Sequence, residues 1–182
     1  MLPCTVIGLI GEHITAAAII SMGWKITLAQ QDHLDLVAWH PDENNFYRIQ
    51  VKTSFCRAQS KSRNPCYHFQ NGSGRFKKIL DHNTKYDILA HCAANHRRCH
   101  FQASHTISKV TERYRPERFD DPTIELESWT KAVEDVKNFR KKFFRPRAKT
   151  ICFLAPKGRL LLTKFSHPDL ILPPIERHFL KK

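Results

Sequence analysis

Phe46-Tyr47-Arg48-Ile49-Gln50-Val51-Lys52-Thr53 is the stretch that decides the fold. Apolar and polar residues alternate along it, the period of a β-strand that buries one face. On that period Arg48, Gln50 and Lys52 share one side, while Ile49 and Val51 point to the other. Residues 34–40 are strand-like too, and Pro41-Asp42-Glu43-Asn44-Asn45 between the two has the composition of a turn. The pair reads as a β-hairpin. Asp35 shares the Gln50/Lys52 face if the pairing register allows it, because a one-residue slip would reverse every side chain.

Working outward, residues 5–23 read as a helix. Ile7, Ile10, Ile14 and Ala18 recur at helical spacing, Thr5 is placed to cap, and Gly23 sits where a left-handed residue ends a helix. Gly8 and Gly11 are poor helix formers and permit a close backbone approach. Residues 24–28 form a short strand. Residues 54–65 are a polar, basic loop, residues 66–70 a short strand, and Asn71-Gly72-Ser73-Gly74 a turn. Residues 85–93 read as a core strand that pairs with 98–103 across Asn95-His96. Residues 105–110 read as a short helix or loop, and 113–122 as a charged connector. Residues 126–144 read as a helix, with Trp129, Val133, Val136 and Phe139 or Arg140 on one face and Arg145-Pro146 ending it. A hairpin around Pro156-Lys157-Gly158 and an irregular tail follow.

The expected class is therefore α/β (α+β): a mixed central sheet flanked by helices. Residues 1–112 form the core, and 113–182 a C-terminal extension of basic helix, hairpin and tail that packs on or continues it.

The chain has 182 residues, and 30 Lys+Arg against 17 Asp+Glu leave a net charge of +13. Such a surplus attracts a polyanion, nucleic acid first and an anionic membrane surface second. No run of 18 uninterrupted apolar residues occurs, and Glu12 and His13 interrupt the apolar N-terminal stretch, which lacks a basic leader. An intracellular protein is expected, without signal peptide or transmembrane segment, its six cysteines reduced. His91, Cys92, His96, Cys99 and His100 lie close in sequence but lack the paired C-x(2–4)-C spacing of structural zinc sites. Strand alternation also puts neighbours such as His91 and Cys92 on opposite sides. Core cysteines and surface histidines are the simpler reading.

The chemistry concentrates on the hairpin. Hydrolysis of a phosphodiester needs a divalent cation to neutralise phosphate and acidify a bound water, and hard cations take oxygen ligands. Asp35 offers a carboxylate, and the Gln50 side chain and Val51 backbone offer carbonyl oxygens. Lys52 is suited to orient the attacking water or to stabilise charge on phosphorus. Glu12, on the first helix, is suited to hold a metal-bound water or a second ion.

The ordered set of Glu12 on a helix, Asp35 on a strand and Gln50-Val51-Lys52-Thr53 on the next resembles the PD-(D/E)XK nuclease superfamily over about residues 5–110. With Tyr86-Asp87-Ile88-Leu89-Ala90 further on, it looks most like the homing endonucleases of group I introns, with archaeal Holliday junction resolvases next. That resemblance implies Asp35, Gln50, Lys52 and Glu12 as catalytic residues. It also implies Mg²⁺, or Mn²⁺ in its place, as cofactor. The partner it implies is double-stranded DNA, cut site-specifically by a homodimer or homotetramer. The pattern departs from the superfamily at Gln50, where an acid is usual, and a neutral amide binds a cation more weakly. A junction-resolving nuclease and a non-cleaving DNA-binding protein on the same scaffold are the alternatives.

For DNA contact the candidates are Arg57, Lys61, Arg63, Arg75, Lys77 and Lys78 on loops flanking the site. Arg140, Lys141 and Lys142 join them, in a basic run interleaved with Phe139, Phe143 and Phe144. The helix at 126–144, with Trp129 and Phe139, and the C-terminal hairpin are the candidate pairing surfaces.

Overall fold

The computed structural model describes residues 3–31, 34–56, 65–72, 80, 85–143, 153–154 and 160–161. Helix α1 (Cys4–Ser21) leads into strands β1 (Lys25–Gln31), β2 (Leu34–Trp39) and β3 (Phe46–Ser54). Strands β4 (Tyr67–Gln70), β5 (Ile88–Ala93), β6 (Arg98–Ala103) and β7 (Thr111–Tyr114) follow, then helix α2 (Ile124–Phe143). Strands β1-β2-β3-β5-β6 form one mixed sheet, with β3 and β5 parallel and the other neighbours antiparallel. The fold is the expected mixed α/β arrangement with a central sheet flanked by helices.

Hairpin β2–β3 pairs Leu36 with Ile49, Val37 with Arg48, Ala38 with Tyr47 and Trp39 with Phe46. That register puts Leu36, Ala38, Tyr47, Ile49 and Val51 into the apolar core shared with both helices. Helix α1 lies against β3 because Gly11 lets it. A Cβ on Gly11 would stand 1.8 Å from Thr53 Oγ1, a distance no side chain tolerates. Thr15, Ala16, Ala18 and Ile19 of α1 are buried. The helix starts at Cys4 with Pro3 as its N-cap and no side-chain cap, so Thr5 does not serve as one. It ends before Gly23, whose φ of +86° is the left-handed conformation expected there. Among the described residues, α1 alone would qualify by length and apolarity to cross a membrane. In this fold its inner face packs on the sheet, and Glu12 lies in its middle.

Helix α2 buries Trp129, Val133 and Val136 in the same core. Trp129 is therefore not available as a pairing surface. The helix also closes the open edge of β6. Glu125 Oε1 accepts the Cys99 N–H at 2.9 Å, and Ser128 Oγ accepts that of Phe101 at 3.0 Å. The first compact unit accordingly runs from Met1 to Phe143, carrying the helix expected in the extension. The second unit spans Phe144–Lys182 and contains an antiparallel pair, β8 (Phe153–Leu154) with β9 (Leu160–Leu161), as the hairpin reading expects.

A two-stranded ribbon of β4 and β7 is new relative to the sequence reading, which took the end of β7, Arg113 and Tyr114, for connector. It packs on His91, whose ring lies 4.6 Å from that of Phe69 and 5.4 Å from that of Tyr114. The cysteine–histidine group divides between two environments. Cys92 and Cys99 are register partners in the helix-side core, and His91 and His100 are register partners on the ribbon side. Among the described residues no three His, Cys, Asp or Glu side chains converge as metal ligands.

Candidate functional site

Strand alternation and the β2–β3 register bring Asp35 to Gln50. Asp35 Oδ2 accepts the Val51 N–H and the Gln50 Nε2–H, each at 2.6 Å. The side chain thus takes over a ladder position at the end of β2, which fixes the carboxylate against β3. Both donors are neutral, so they orient the carboxylate without cancelling its charge. The Gln50 amide is pinned by its nitrogen, which also reaches the Val51 carbonyl at 3.4 Å. Its Oε1 is buried and has no hydrogen-bond partner. A buried acceptor left unpaired is costly, and it marks a place that a cation or a donor would fill.

Glu12 approaches from α1, one residue beyond the Gly11–Thr53 contact that sets the helix height. Its carboxyl is held above the ordinary range, first by burial and then by the charge of Asp35, with His13 partly opposing. A carboxyl raised by a neighbouring carboxylate is relieved by a cation between the two. Lys52 shares the Gln50 face and pairs in register with His91 on β5. It lines a cleft of about 550 Å³ with Cys4, Ile7 and Gly8 of α1, residues 51–55 of β3 and its exit, and Cys66 and His68. Asp35 thus meets Gln50 and the Val51 N–H at the middle of β3, near enough to Glu12 to raise its carboxyl, with Lys52 following on the same strand. The donor set is two carboxylates, one amide oxygen and a backbone carbonyl, all hard oxygens suited to Mg²⁺.

The far wall of the cleft was not singled out from sequence. Cys66 Sγ and His68 Nε2 are 3.1 Å apart, and the His68 N–H donates to Ser54 Oγ at 3.2 Å. The available signal was the two-residue spacing on a short strand.

Of the basic residues expected to meet DNA, Arg57, Lys61, Arg63, Arg75, Lys77 and Lys78 lie outside the described residues. Lys141 and Lys142 are exposed at the end of α2. Arg140 is engaged internally: it pairs with Asp87 at 3.0 Å, donates to the Phe46 carbonyl at 2.9 Å and lies over the Tyr47 ring. Asp87, from the segment that carried part of the family resemblance, also accepts from the Arg48 N–H at 2.8 Å and Arg48 Nε at 3.2 Å. Burial pushes its carboxyl up, but the Arg48 hydrogen bonds and the Arg140 charge outweigh that and hold it below the usual range.

No family model and no curated protein matches the chain. Among solved structures it is similar to a bacterial homing endonuclease, I-Ssp6803I, with a TM-score of 0.52 and 18% sequence identity. The likeness covers 76% of this chain and 97% of that one, a shared fold at low identity.

Proposed function

We propose that this chain is a metal-dependent DNA endonuclease, site-specific in the manner of homing enzymes. The observation that carries it is the Asp35–Gln50 pair. A carboxylate is fixed by neutral donors beside a second carboxylate, Glu12, with the unpaired Gln50 Oε1 next to it. The likeness to a homing endonuclease and the +13 net charge support the same reading.

Asp35, Gln50 Oε1, the Val51 carbonyl and Glu12 would hold Mg²⁺ or Mn²⁺. When bound, the cation neutralises a phosphate and lowers the pKa of a coordinated water. Asp35 and Gln50 fix where that charge sits, because the hairpin register holds both. Glu12, facing the Asp35 charge from α1, would hold a metal-bound water or a second ion. Lys52 presents an ammonium from the same strand face, placed to orient the nucleophile or to meet negative charge building on phosphorus. Lys141, Lys142 and the basic residues Arg57, Lys61, Arg63, Arg75, Lys77 and Lys78 would contact phosphates along the duplex. A homodimer or homotetramer would supply one site per strand for a double-strand break.

The test is conversion of supercoiled plasmid and junction DNA with Mg²⁺, with Mn²⁺ and with EDTA. Cutting that requires the metal and disappears in Lys52→Ala, while that variant still retards DNA in a gel, is the expected result. Metal-independent cutting, or none by the folded wild type on any substrate, overturns the reading.

A further inference from the structure

The two glycines of α1 do opposite things. Gly11 is required by the protein, since Thr53 already occupies the space of its Cβ. Gly8 is not: among the described residues no atom lies within 4 Å of where its Cβ would stand. A glycine in a helix interior weakens the helix relative to alanine, and protein packing gives no reason for it here. Its φ is not in the left-handed region either, so no turn explains it.

What lies beside Gly8 is the cleft. Gly8, Cys4 and Ile7 line it from α1, Val51 to Phe55 from β3 and its exit, and Cys66 and His68 complete it. Its volume of about 550 Å³ is within the range of ligand sites. It adjoins the Asp35–Gln50 pair at Val51. We propose that Gly8 admits a DNA strand to this cleft, the bare α1 backbone lining the strand's seat together with Lys52. This deepens the endonuclease reading and rests on it. The occupant is a sugar-phosphate backbone, because Lys52 and His68 are among the lining residues and the chain carries a net charge of +13. A side chain at position 8 would stand in the path of that strand while meeting none of the described residues.

The two roles separate in an experiment on the full chain. Gly8→Ala and Gly8→Leu are compared with wild type and with Ala17→Leu, a change on the exposed outer face of the same helix. Thermal melting reads stability, and a fluorescent random-sequence duplex and a supercoiled plasmid read binding and cutting in Mg²⁺. Gly8→Ala is expected to melt about 2–4 °C higher, from its gain in helix propensity, yet to bind about threefold more weakly. Gly8→Leu is expected to weaken binding tenfold or more and to slow cutting in proportion at subsaturating DNA. Ala17→Leu should bind and cut as wild type. Stability and binding moving in opposite directions is a result that a purely structural glycine does not give. Gly8→Ala and Gly8→Leu variants that bind and cut as well as wild type overturn this inference while leaving the endonuclease reading intact. A wild type that neither binds nor cuts DNA overturns both.

Discussion

Two aspartates reach β3 from the strands on either side of it, and they are held in opposite ways. Asp35, from β2, accepts hydrogen bonds from the Val51 N–H and the Gln50 amide, with a second acid nearby. Asp87, just ahead of β5, meets two guanidiniums, those of Arg48 and Arg140, besides the Arg48 N–H. The second carboxylate is matched by cations the protein already owns. It ties β3, β5 and α2 together and its charge is satisfied at home. The first is positioned by neutral groups, beside an amide oxygen that has no partner. On the endonuclease proposal this difference separates a staple from a site: the Asp87 charge is already met by two guanidiniums, and that of Asp35 would meet a bound cation.

The sharpest way to break this contrast is to neutralise each acid in turn. Asp35→Asn should cost about 10²–10³-fold or more in cleavage, the scale seen when one electrostatic group is removed from an active site, with a small change in melting temperature. Asp87→Asn should do the reverse. It leaves Arg48 and Arg140 without their shared partner and should cost about 1–3 kcal/mol of stability, moderated because both arginines are partly exposed. The folded fraction should cut at nearly the wild-type rate. If Asp87→Asn abolished cutting at full stability, the division of labour would be lost.

The next test, smaller in expected effect, concerns the face that carries Lys52. His91 is fully buried beside it, with Nε2 donating to Asn71 Oδ1 at 2.7 Å, because Asn71 Nδ2 is already committed to the Lys109 carbonyl. Glu112, His100, Tyr114 and Arg118 surround the pair from β6, β7 and the turn before α2. Burial first, then the charges of His100, Arg118 and Lys52, pushes His91 down to about 3. Burial, Arg118 and Lys131 push His100 down to about 4. The folded chain therefore refuses protons that the unfolded chain takes up below about pH 6.5. Stability is complete above that value and falls with pH through the window down to 4, by at most about 1.4 kcal/mol per pH unit for each histidine. Urea melts at pH 7, 6 and 5 check it, and His91→Phe should flatten the slope by about half. Asp87, held low, begins to lose its contribution only as pH falls through the ordinary aspartate pKa of about 3.9, so it does not account for loss above pH 5.

Much of this was legible in the sequence, for physical reasons that differ by element. The period-two pattern from Phe46 to Thr53 fixed which side chains face together, and the turn at 41–45 set the register that brings Asp35 to Gln50. Residues 111–114 gave no such signal. Thr-Glu-Arg-Tyr is half charged, and its partner β4 lies far upstream, so only the tertiary fold reveals it as a strand. Arg140 read as one more residue in a basic run, because nothing local shows that Asp87 and the Tyr47 ring await it. Gly11 was legible as a possible close approach, but not what approaches. Thr53 on the lysine strand supplies that, and with it the height at which Glu12 sits.

The subtlest expected effect lies at Gln50, and it bears most directly on why Asp35 differs from Asp87. Gln50→Glu replaces the amide that donates to Asp35 with a third carboxylate beside Asp35 and Glu12. Without a divalent cation, the Nε2 hydrogen bond is lost and three acids repel one another, so melting in EDTA should fall by about 2–4 °C, the shift for roughly 1 kcal/mol in a chain of this size. With Mg²⁺ the added charge is balanced, and the deficit should vanish or reverse. The midpoint of the Mg²⁺ dependence of melting should also move to lower concentration than in wild type. Asp87→Asn should leave that midpoint unchanged, since its partners are arginines rather than neighbouring oxygens. If Gln50→Glu melts identically with and without Mg²⁺, then position 50 does not face a cation. The unpaired Oε1 would then be a cost that the fold bears for some other reason.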